Sequence, residues 1–398
     1  MRQNPANMAL RVPSPYAIYT SLVVLPRARI DWREFLARPP VSSPQMELLD
    51  ALAAAPLLIT GAGGSIGSAL TLRLAQTVHR RTPDHLVVVE RCESNFCRLQ
   101  QAFESQTNAL PGNAPKAAFF LCDAGDRAAL AEIFSAHRPR LVFHAAAYKH
   151  VPMLEEQPLA AIANNIFAAE AVASVAAESG ARVLLLSTDK AVKPASVMGA
   201  TKHVAEKIVR MRGGTVLRLG NVLGSSGSVS EVFAQQVAIG GPLTVTDPSA
   251  RRFFFAMEEA VDLLLLAALD PVRGALLAPA QHAEYSIASL ADFMARTLAP
   301  GREISIRYTG LRPGEKLAER LWDDPERPCA SPCSSLLSIQ SDLPVPAQFE
   351  AQLARLRTAL YGRDVPAALR ALCALVPGFQ PSPATRALAG EHSQGVCA

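Results

Sequence analysis

The chain has 398 residues, of which 49% are hydrophobic and 19% are charged, so it is long enough to bury a large core in two or more domains. Its formal net charge of +4 is small for this length and comes with no basic block, which argues against a nucleic-acid-binding protein and favours an anionic small molecule as partner. The longest candidate apolar run, residues 17–26, falls well short of the roughly 18 residues that a membrane span needs, so we expect no membrane span and a cytoplasmic location.

The cysteines favour reduced thiols. There are seven, an odd number scattered along the chain, which is unlike a disulfide framework. Cys329 and Cys333 invite a metal-binding interpretation, but no second Cys or His pair lies at zinc-site spacing. Two loop thiols are the favoured interpretation, and we expect no metal.

A glycine-rich turn follows the first predicted strand. Residues 56–60 are a short apolar run typical of a buried strand, and residues 65–76 have the pattern of a helix. Glycines at such a junction allow a tight turn and let a pyrophosphate approach the backbone at the helix N-terminus. The pattern predicts a dinucleotide-binding loop whose members are Gly61, Gly64, Ser65, Ile66 and Gly67.

The next two predicted strands end in acidic residues. The strand at 86–89 runs into Glu90, whose carboxylate can accept hydrogen bonds from the adenosine ribose, and this context favours a dinucleotide loop over a plain glycine-rich turn. The acid favours NAD, but the guanidinium of Arg91 could instead pair with a 2′-phosphate, so NADP stays open. The strand at 117–121 ends near Asp123, which is either the residue that meets the adenine amine in related folds or a solvated loop acid.

A fourth strand, predicted at 141–147, ends in small residues. Ala145 and Ala146 let the backbone lie against a cofactor, and Lys149 and His150 follow in the turn. As bare sequence, a Lys-His pair is more typical of a solvated loop than of a ligand site.

Two predicted helices have alanine-rich faces. One covers residues 159–178 and carries Asn165, and the other covers residues 196–212. Such faces would leave a broad apolar surface on a monomer, so we expect a homo-oligomer, a dimer or larger.

The most informative stretch joins a buried strand to a polar turn and a helix. Residues 183–186 are too short and too uniformly apolar for a surface helix, which predicts a central strand of a parallel sheet. Ligand crevices of open α/β sheets lie outside the carboxyl ends of the strands, so the polar residues that follow should face a substrate. These residues are Thr188, Asp189 and Lys190. The helix predicted at 196–206 carries Met198 and Lys202 on one face, because they are four residues apart.

The last strand of this half is predicted at 215–219 and leads to Asn221. From about residue 224 short strands, helices and turns alternate, which predicts a smaller lobe that covers the substrate. The lobe contains Arg252, Arg312 and Glu315.

Five strings carry a family resemblance. They are TGAGGSIGS (60–68), FHAAAYKHVP (143–152), STDKAVKPASVMGATK (187–202), RLGNVLGSSGSV (218–229) and TGLRPGEKL (309–317). With them, the chain from about residue 34 to about residue 328 resembles the CapD/FlaA1-like polysaccharide-biosynthesis proteins, UDP-N-acetylglucosamine 4,6-dehydratases and close relatives in the extended short-chain dehydrogenase/reductase superfamily. The resemblance implies an α/β fold, a Rossmann-type doubly wound parallel sheet with a smaller C-terminal α/β substrate-binding lobe.

The resemblance and the composition together divide the chain. The predicted parts are 1–50 as N-terminal arm and lead-in, 51–223 as the NAD(P)-binding Rossmann domain, 224–328 as the nucleotide-sugar lobe with some strands returning to the main domain, 329–378 as a C-terminal loop and helices, and 379–398 as a disordered tail.

The resemblance also implies roles at the polar turn. Asp189 matches the acid for the leaving C6 hydroxyl and Lys190 the base at C5, while Thr188 can orient the C4 hydroxyl and a nicotinamide takes hydride from C4 and returns it to C6. Lys202 matches the lysine of the superfamily's catalytic Tyr-Lys pair, which also binds the cofactor, but Met198 stands at the Tyr position. A thioether has no ionisable proton. Because the Met is shared with the configuration-retaining dehydratases of the family, the expected product retains its C5 configuration.

For the substrate, the resemblance implies contacts spread over both halves of the chain. The implied residues are Lys149, His150, Asn165, Asn221, Arg252, Arg312 and Glu315. A surface charge is the alternative for each Arg, and the intact RPGEKL string favours the ligand role. Lys193 departs from the Asn usual at its place, which bears on the geometry of the loop.

The expected function is a UDP-sugar 4,6-dehydratase that makes a 4-keto-6-deoxy sugar for surface polysaccharide. Two alternatives stay open at this point. One is an NDP-sugar epimerase on the same scaffold, and the other is a catalytically silent NAD-binding or nucleotide-sugar-binding subunit. The retained Thr188, Asp189, Lys190 and Lys202 argue against the silent subunit, because a binder has no need of an acid and a base.

Overall fold

The computed structural model describes residues 30–52, 54–78, 86–108, 116–342 and 346–390. The apolar run at 17–26, most of the predicted N-terminal arm and residues 391–398 of the predicted tail lie outside the described residues. Contacts divide the chain after Asp31, and the unit that begins at Trp32 contains every element named below.

Strands and helices alternate through the first two thirds of the described chain. The strands of the described residues are β1 (Leu57–Thr60), β2 (Leu86–Glu90), β3 (Ala117–Leu121), β4 (Leu141–His144), β5 (Arg182–Thr188), β6 (Thr215–Leu219), β7 (Asn221–Val222), β8 (Leu243–Val245), β9 (Arg251–Phe255), β10 (Leu276–Pro279), β11 (Glu284–Ser286), β12 (Ile306–Tyr308), β13 (Arg327–Ala330) and β14 (Leu336–Gln340). The α-helices are α1 (Trp32–Leu36), α2 (Met46–Leu52), α3 (Ser65–Val78), α4 (Glu93–Asn108), α5 (Arg127–His137), α6 (Val151–Glu156), α7 (Pro158–Ala161), α8 (Ala168–Glu178), α9 (Val197–Met211), α10 (Val229–Ala238), α11 (Met257–Ala268), α12 (Ile287–Leu298), α13 (Pro346–Tyr361), α14 (Val365–Leu375) and α15 (Pro383–Leu388). A π-helical turn spans Ile162–Phe167, and a 3-10 turn spans Asp189–Ala191.

The main sheet of the described residues has the strand order β3-β2-β1-β4-β5-β6-β10-β14-β13. The strands from β3 to β10 run parallel to one another, whereas β14 and β13 are antiparallel to their neighbours. The succession 3-2-1-4-5-6 is that of the Rossmann fold, with its topological switch point between β1 and β4. The predicted Rossmann-type doubly wound sheet is confirmed.

The central strands are uniformly apolar because helices cover both faces of the sheet. β1, β2 and β4 are buried along their whole length, with α3, α4 and α11 packed together on one face and α5, α8 and α9 on the other. Thr60 pairs with both Val89 and His144, so neighbouring strands end at one edge of the sheet. That edge is where a Rossmann fold binds its ligands.

The two side edges of the sheet differ. β3 is only partly buried, and Leu121 at its end is 56% exposed. On the opposite side the outermost strand, β13, contains Arg327 and Pro328.

The smaller lobe has two short sheets, β11-β9-β7 and β12-β8, packed with α10 and α12. β10 leaves this lobe and returns to the main sheet beside β6. The lead-in binds the lobe, since Phe35 of α1 stacks near Phe254 and Tyr285, and Arg38 forms a 2.6 Å ion pair with Glu259.

Two expectations for the C-terminal part were wrong. The residues expected to start as a loop at 329 form β13 and β14, because Leu336 and Ile339 are buried when β14 pairs with β10. The tail expected to be disordered from residue 379 is ordered as far as 390, because Phe379 is buried and α15 is capped by Ser382.

The helix predicted at 159–178 is present, but the π-helical turn interrupts it. Other helices of the same chain pack against this segment. α14 packs on α7 and α9, and Arg357 of α13 pairs with Glu170 and lies over the ring of Phe167. The apolar surface that was expected to bind a second copy of the chain is therefore covered, at least in part, by α13 and α14. Among the described residues, Pro158–Glu178 is also the one helical segment long and apolar enough to cross a membrane. However, 56% of the 18-residue window that meets this criterion is buried in the protein.

Candidate active site

The polar turn after β5 brings three predicted residues into contact with a fourth. Lys190 Nζ donates to Asp189 Oδ1 and to Asn221 Oδ1, both at 2.9 Å. Thr188 Oγ1 donates to the same Asp189 oxygen at 2.9 Å. Asn221 comes from β7, so the cluster joins the carboxyl end of β5 to the first strand of the lobe sheets.

The second oxygen of the Asp189 carboxylate is different. Asp189 is 0% exposed, and within the described ranges its Oδ2 has no hydrogen-bond partner. A buried polar atom without a partner is costly, so such an atom marks a position where a ligand group is expected. A substrate hydroxyl could bind Oδ2, while Oδ1 accepts from the Lys190 amine and the Thr188 hydroxyl.

Helix α9 presents Lys202 to the strand that carries the polar turn. Ser196 caps the helix through a 3.1 Å bond from the Gly199 N–H, and Lys202 Nζ donates to Leu186 O at 2.8 Å. Burial lowers the pKa of the Lys202 ammonium to about 8, against the opposing charge of Glu206. Lys202 can therefore exchange a proton near neutral pH.

Met198, one turn before Lys202, is 3% exposed and belongs to the apolar core. Its backbone carbonyl accepts the hydroxyl of Thr201 at 2.8 Å. The residue at the superfamily's Tyr position therefore contributes packing, because a thioether cannot transfer a proton.

His144 was not among the residues predicted from the sequence. It ends β4 at 1% exposure, and its Nδ1 shares a 2.7 Å hydrogen bond with Thr60 Oγ1. Burial, with the Lys202 charge, lowers the pKa of the His144 imidazole to about 3, so the ring is neutral at physiological pH. A polar residue at the end of an otherwise apolar strand was the signal available in the sequence.

Asn165 lies in the π-helical turn and fixes the loop after β4. Its Oδ1 accepts the Tyr148 N–H at 2.8 Å, and its Nδ2 donates to Tyr148 O and to Thr201 Oγ1, both at 3.1 Å. Both amide hydrogens are used in these bonds. Asn165 thus holds the backbone next to Lys149 and His150 in place.

The glycine-rich turn fits a dinucleotide. Gly61 has φ of +64°, and a Cβ on it would lie 2.5 Å from the Cα of Ala146, so the turn packs directly on the small residues of the next loop. A Cβ on Gly67 would lie 2.3 Å from the Gly61 carbonyl oxygen. The N-terminus of α3, with Ser65, is thus kept within reach of a pyrophosphate.

Glu90 stabilises this turn as well as facing the cofactor side. Its Oε2 accepts the Gly63 N–H and its Oε1 the Cys92 N–H, both at 2.8 Å. Each carboxylate oxygen keeps a second lone pair for a ribose hydroxyl. Arg91 is engaged elsewhere, since it pairs with Asp123 at 3.1 Å and lies over the Tyr148 ring, whose hydroxyl it also contacts.

Lys149 and His150 meet the loop that begins the smaller lobe. Lys149 Nζ donates to Ser225 Oγ at 3.4 Å, and the His150 ring fills the space where a Cβ on Gly227 would lie. Burial lowers the pKa of both side chains, and the charges of Lys149 and Arg312 lower that of His150 further. The two residues therefore sit between the main domain and the lobe.

The remaining predicted substrate residues are held by protein partners. Arg252 donates to the carbonyls of Lys316 and Leu317 at 2.8 and 3.0 Å, so it supports the backbone of the RPGEKL string. Arg312 and Glu315 bind each other at 2.5 Å. They are not joined to the Asp189 cluster by a hydrogen bond or ion pair in the described residues.

A buried ion network lies beneath the polar turn and was missed from the sequence. Arg218 pairs with Glu206 at 2.8 Å and with Glu326 at 2.6 Å, and Ser187 donates to Glu206 at 2.5 Å. Burial alone would raise the pKa of Glu206, but the charge and hydrogen bonds of Arg218 prevail and lower it. Glu206, four residues after Lys202 on a buried helix, was the available signal.

Lys193 holds the loop between the polar turn and α9. Its φ is +40°, in the left-handed region that suits the family's Asn better than Lys, and its Nζ pairs with Asp323 and Asp324 at 2.8 and 2.6 Å. These acids line a cavity of about 410 Å³ with Trp322 and His282. The acidic lining is unsuited to a diphosphate, so the polar turn remains the candidate site. Among the described residues, no group of His, Cys, Asp or Glu could hold a metal ion.

Comparison with known proteins identifies relatives of two kinds. A sequence profile of the polysaccharide biosynthesis protein family matches residues 57–340. The capsular polysaccharide biosynthesis protein CapD of Staphylococcus aureus is 34% identical over 307 residues, covering 75% of this chain and 50% of CapD. The UDP-glucose 4-epimerase of Rickettsia felis is 35% identical over 282 residues, covering 68% of this chain and 78% of the epimerase.

A solved structure has the same fold. DesIV, a dTDP-glucose 4,6-dehydratase from Streptomyces venezuelae with NAD bound, superposes with a TM-score of 0.57 at 19% identity, covering 67% of this chain and 87% of that one. The chain spans about half the length of CapD. Its profile match contains the glycine-rich turn, the polar turn and the RPGEKL string, which confirms the predicted resemblance. The chain therefore belongs to the polysaccharide biosynthesis protein family.

Proposed function

We propose that the chain is a nucleotide-sugar 4,6-dehydratase that acts on UDP-N-acetylglucosamine or a similar UDP-sugar. The observation that carries the proposal is the 2.9 Å contact between the Asp189 carboxylate and the Lys190 amine. The other oxygen of the same carboxylate is buried and has no hydrogen-bond partner in the described residues. Elimination of water needs both an acid and a base at neighbouring carbons.

The glycine-rich turn and Glu90 would hold NAD⁺, which would supply a hydride acceptor for C4 and, once reduced, a hydride donor for C6, with no net redox change. NAD is proposed rather than NADP because a 2′-phosphate would bring negative charge beside the Glu90 carboxylate. The guanidinium of Arg91, which could have met that phosphate, pairs with Asp123 instead.

The chain's own residues carry the proton transfers. Thr188 orients the C4 hydroxyl, whose proton passes to Oδ2 of the Asp189 carboxylate as C4 is oxidised. The 4-ketone that results acidifies the C5 hydrogen. Lys190 Nζ takes the C5 proton while Asp189 donates a proton to the C6 oxygen, so the C6–O bond breaks and water leaves. The Lys190 ammonium formed in this step then returns its proton to C5. Because Met198 replaces Tyr, the proposal includes retention of configuration at C5.

The test is incubation of the purified protein with UDP-N-acetylglucosamine, followed by mass spectrometry of the nucleotide sugar. The expected product is lighter by one water and carries a 4-ketone. An unchanged mass together with a C4 epimer, resolved by proton NMR, would replace the dehydratase by the second candidate, an epimerase, which the Rickettsia relative favours. An unchanged sugar with bound nicotinamide would favour the silent subunit. The homo-oligomer and the cytoplasmic location stay predictions.

A further inference from the structure

A buried carboxylate joins several segments next to the polar turn. Glu155 of α6 is 3% exposed, and its Oε1 accepts the N–H of Val197, the first residue of α9, at 2.7 Å. Its Oε2 accepts the hydroxyls of Ser382, at 2.8 Å, and Thr385. A Cβ on Gly314 would lie 3.1 Å from the Glu155 Cδ, so the RPGEKL string packs on the same carboxylate.

Ser382 and Thr385 belong to the ordered residues 379–390, which we name the C-terminal strap. The strap has a second attachment, because the Gln380 N–H donates to Pro194 O at 2.9 Å. It is also anchored by Phe379, which is 2% exposed. The two attachments therefore lie at the two ends of a short segment, since one binds Pro194 in the loop after the polar turn and the other reaches Val197 of α9 through Glu155. The strap lies beyond the family profile, which ends at residue 340.

The contact to Val197 matters because the first amides of a helix have no partner inside the helix. Glu155 satisfies the first of them, Ser196 Oγ satisfies that of Gly199, and a carboxylate is favoured at this end of the helix dipole. The start of α9 is therefore fixed from outside the helix. Lys202 lies just over one turn further on, with its Nζ on the carbonyl of Leu186, so a shift of the helix start would displace it.

We propose that Glu155 is a positioning residue through which the C-terminal strap holds the start of α9 against the polar turn. The strap hydroxyls orient the carboxylate, the carboxylate holds the Val197 amide, and the helix carries Lys202. The proposal rests on the proposed dehydratase function only where activity is the readout.

The first measurement is hydrogen exchange of the Val197 amide in the full chain with its cofactor. Since this amide has no partner within α9, its protection reports on Glu155. We expect exchange to quicken by roughly tenfold or more in Glu155→Ala and less in Thr385→Val, which removes one hydroxyl and keeps the side-chain shape. Glu155→Gln should stay near wild type, because the amide oxygen can accept from Val197 while its NH₂ donates to the strap hydroxyls.

The matched control is Thr358→Ala, whose hydroxyl is exposed and bonds within its own helix α13. It should leave exchange at Val197 unchanged, and amides in the middle of α9 should be unchanged in Thr385→Val. Val197 protection that is equal in wild type, Glu155→Ala and Thr385→Val would overturn the proposal. If Glu155→Ala does not fold, Thr385→Val decides alone.

The second measurement is turnover of the UDP-sugar. Thr385→Val should lower kcat by roughly threefold or more with KM within about twofold, because Lys202 is displaced while the substrate contacts remain. Retained nicotinamide should fall by no more than kcat does, because the displaced Lys202 is only one of the predicted cofactor residues and the glycine-rich turn does not touch the strap. Equal kcat in wild type and Thr385→Val would count against the positioning role. A wild type without dehydratase turnover would end the proposed function, whereas the exchange measurement would still decide the strap.

Discussion

As the neutral amine that a base requires, Lys190 has two N–H groups, and these are committed to Asp189 and Asn221, so its lone pair is left for the substrate. Removing the amine should separate the two halves of the proposed reaction. In Lys190→Ala, the UDP-sugar should still partly reduce bound NAD⁺, seen as absorbance of the reduced nicotinamide, while loss of water falls by roughly 10² or more.

Exchange of solvent deuterium into C5 of recovered sugar identifies the base directly. It should fall in Lys190→Ala and persist in Lys193→Ala, a matched lysine three residues on whose amine pairs with Asp323 and Asp324. Undiminished exchange in Lys190→Ala would assign the base to another residue.

His144 should make the fold sensitive to mild acid. Its pKa is lowered by burial from 6.5 to about 3, so between these values the unfolded chain binds a proton that the folded chain does not. Stability is then full above pH 6.5 and is lost as the pH falls. Between pH 7.5 and pH 5 this group should lower the free energy of unfolding by about 2 kcal/mol.

The measurement is urea unfolding of wild type and His144→Asn at both pH values. Asn can keep a bond to the Thr60 hydroxyl but cannot titrate, so the variant should lose about 2 kcal/mol less on acidification. An equal loss in both proteins would contradict a neutral buried His144.

At the scale of an element, the glycine-rich turn should tolerate no side chain at Gly67. A Cβ there would lie 2.3 Å from the Gly61 carbonyl oxygen, a backbone atom that no side-chain rotation can move away. Gly67→Ala should therefore displace the turn and reduce the nicotinamide released on denaturation by roughly tenfold or more. Gly378→Ala is the control, because a Cβ there meets nothing within 4 Å. Equal retention in the two variants would remove the turn from the cofactor site.

Elements buried on both faces were predictable, and those defined by partners distant in sequence were not. The bounds of β1 were predicted to within one residue, because uniformly apolar runs are typical of central parallel strands. β6 and the edge strand β3 also have the predicted bounds, although β6 contains Arg218 and β3 is only partly buried. β14 was missed because its apolar residues follow a stretch rich in Ser, Pro and Cys, and it becomes a strand through pairing with β10 and β13. The π-helical turn has no period of its own in the sequence.

The residues of the candidate site were likewise predictable only where local sequence defines them. Asp189 and Lys190 were found because polar residues follow a buried strand directly. Glu155 was not found, because each of its three partners lies more than 40 residues away along the chain. In the sequence it is one of two adjacent Glu residues in a short helix, which is typical of a surface position. Arg252 stays a predicted substrate residue, and in the structure it holds the RPGEKL backbone.

At the scale of the molecule, the fold does not end where the family profile does. Helices α13 and α14 contribute five leucines with 4% exposure or less, and they are Leu353, Leu356, Leu369, Leu372 and Leu375. Burying each contributes about 1.5–3 kcal/mol, so together they rival the whole net stability of a typical protein, about 5–15 kcal/mol.

A chain that ends at residue 342 should therefore associate or unfold, because the apolar sides of α7 and α9 would be uncovered. Light scattering should give a mass that rises with concentration, and the melting temperature should fall. Light scattering of the full chain under the same conditions tests whether two copies still associate when the apolar sides of α7 and α9 are covered. A shortened chain with the mass and melting temperature of a full-length monomer would show that α13 and α14 are dispensable.

The unequal side edges of the main sheet have a consequence for how this protein would fail in storage. Pro328 has no N–H donor, and the positive charge of Arg327 repels the same residue of a second copy. The β13 edge is therefore a poor template for pairing with a strand of another chain. The sequence AAFFL of β3 has no charge and no proline, and its outer row of backbone groups has no strand partner in the described residues. Fibrous or amorphous deposits formed on warming should therefore grow from β3, and Leu121→Lys, a change at an exposed position, should delay turbidity without lowering the melting temperature.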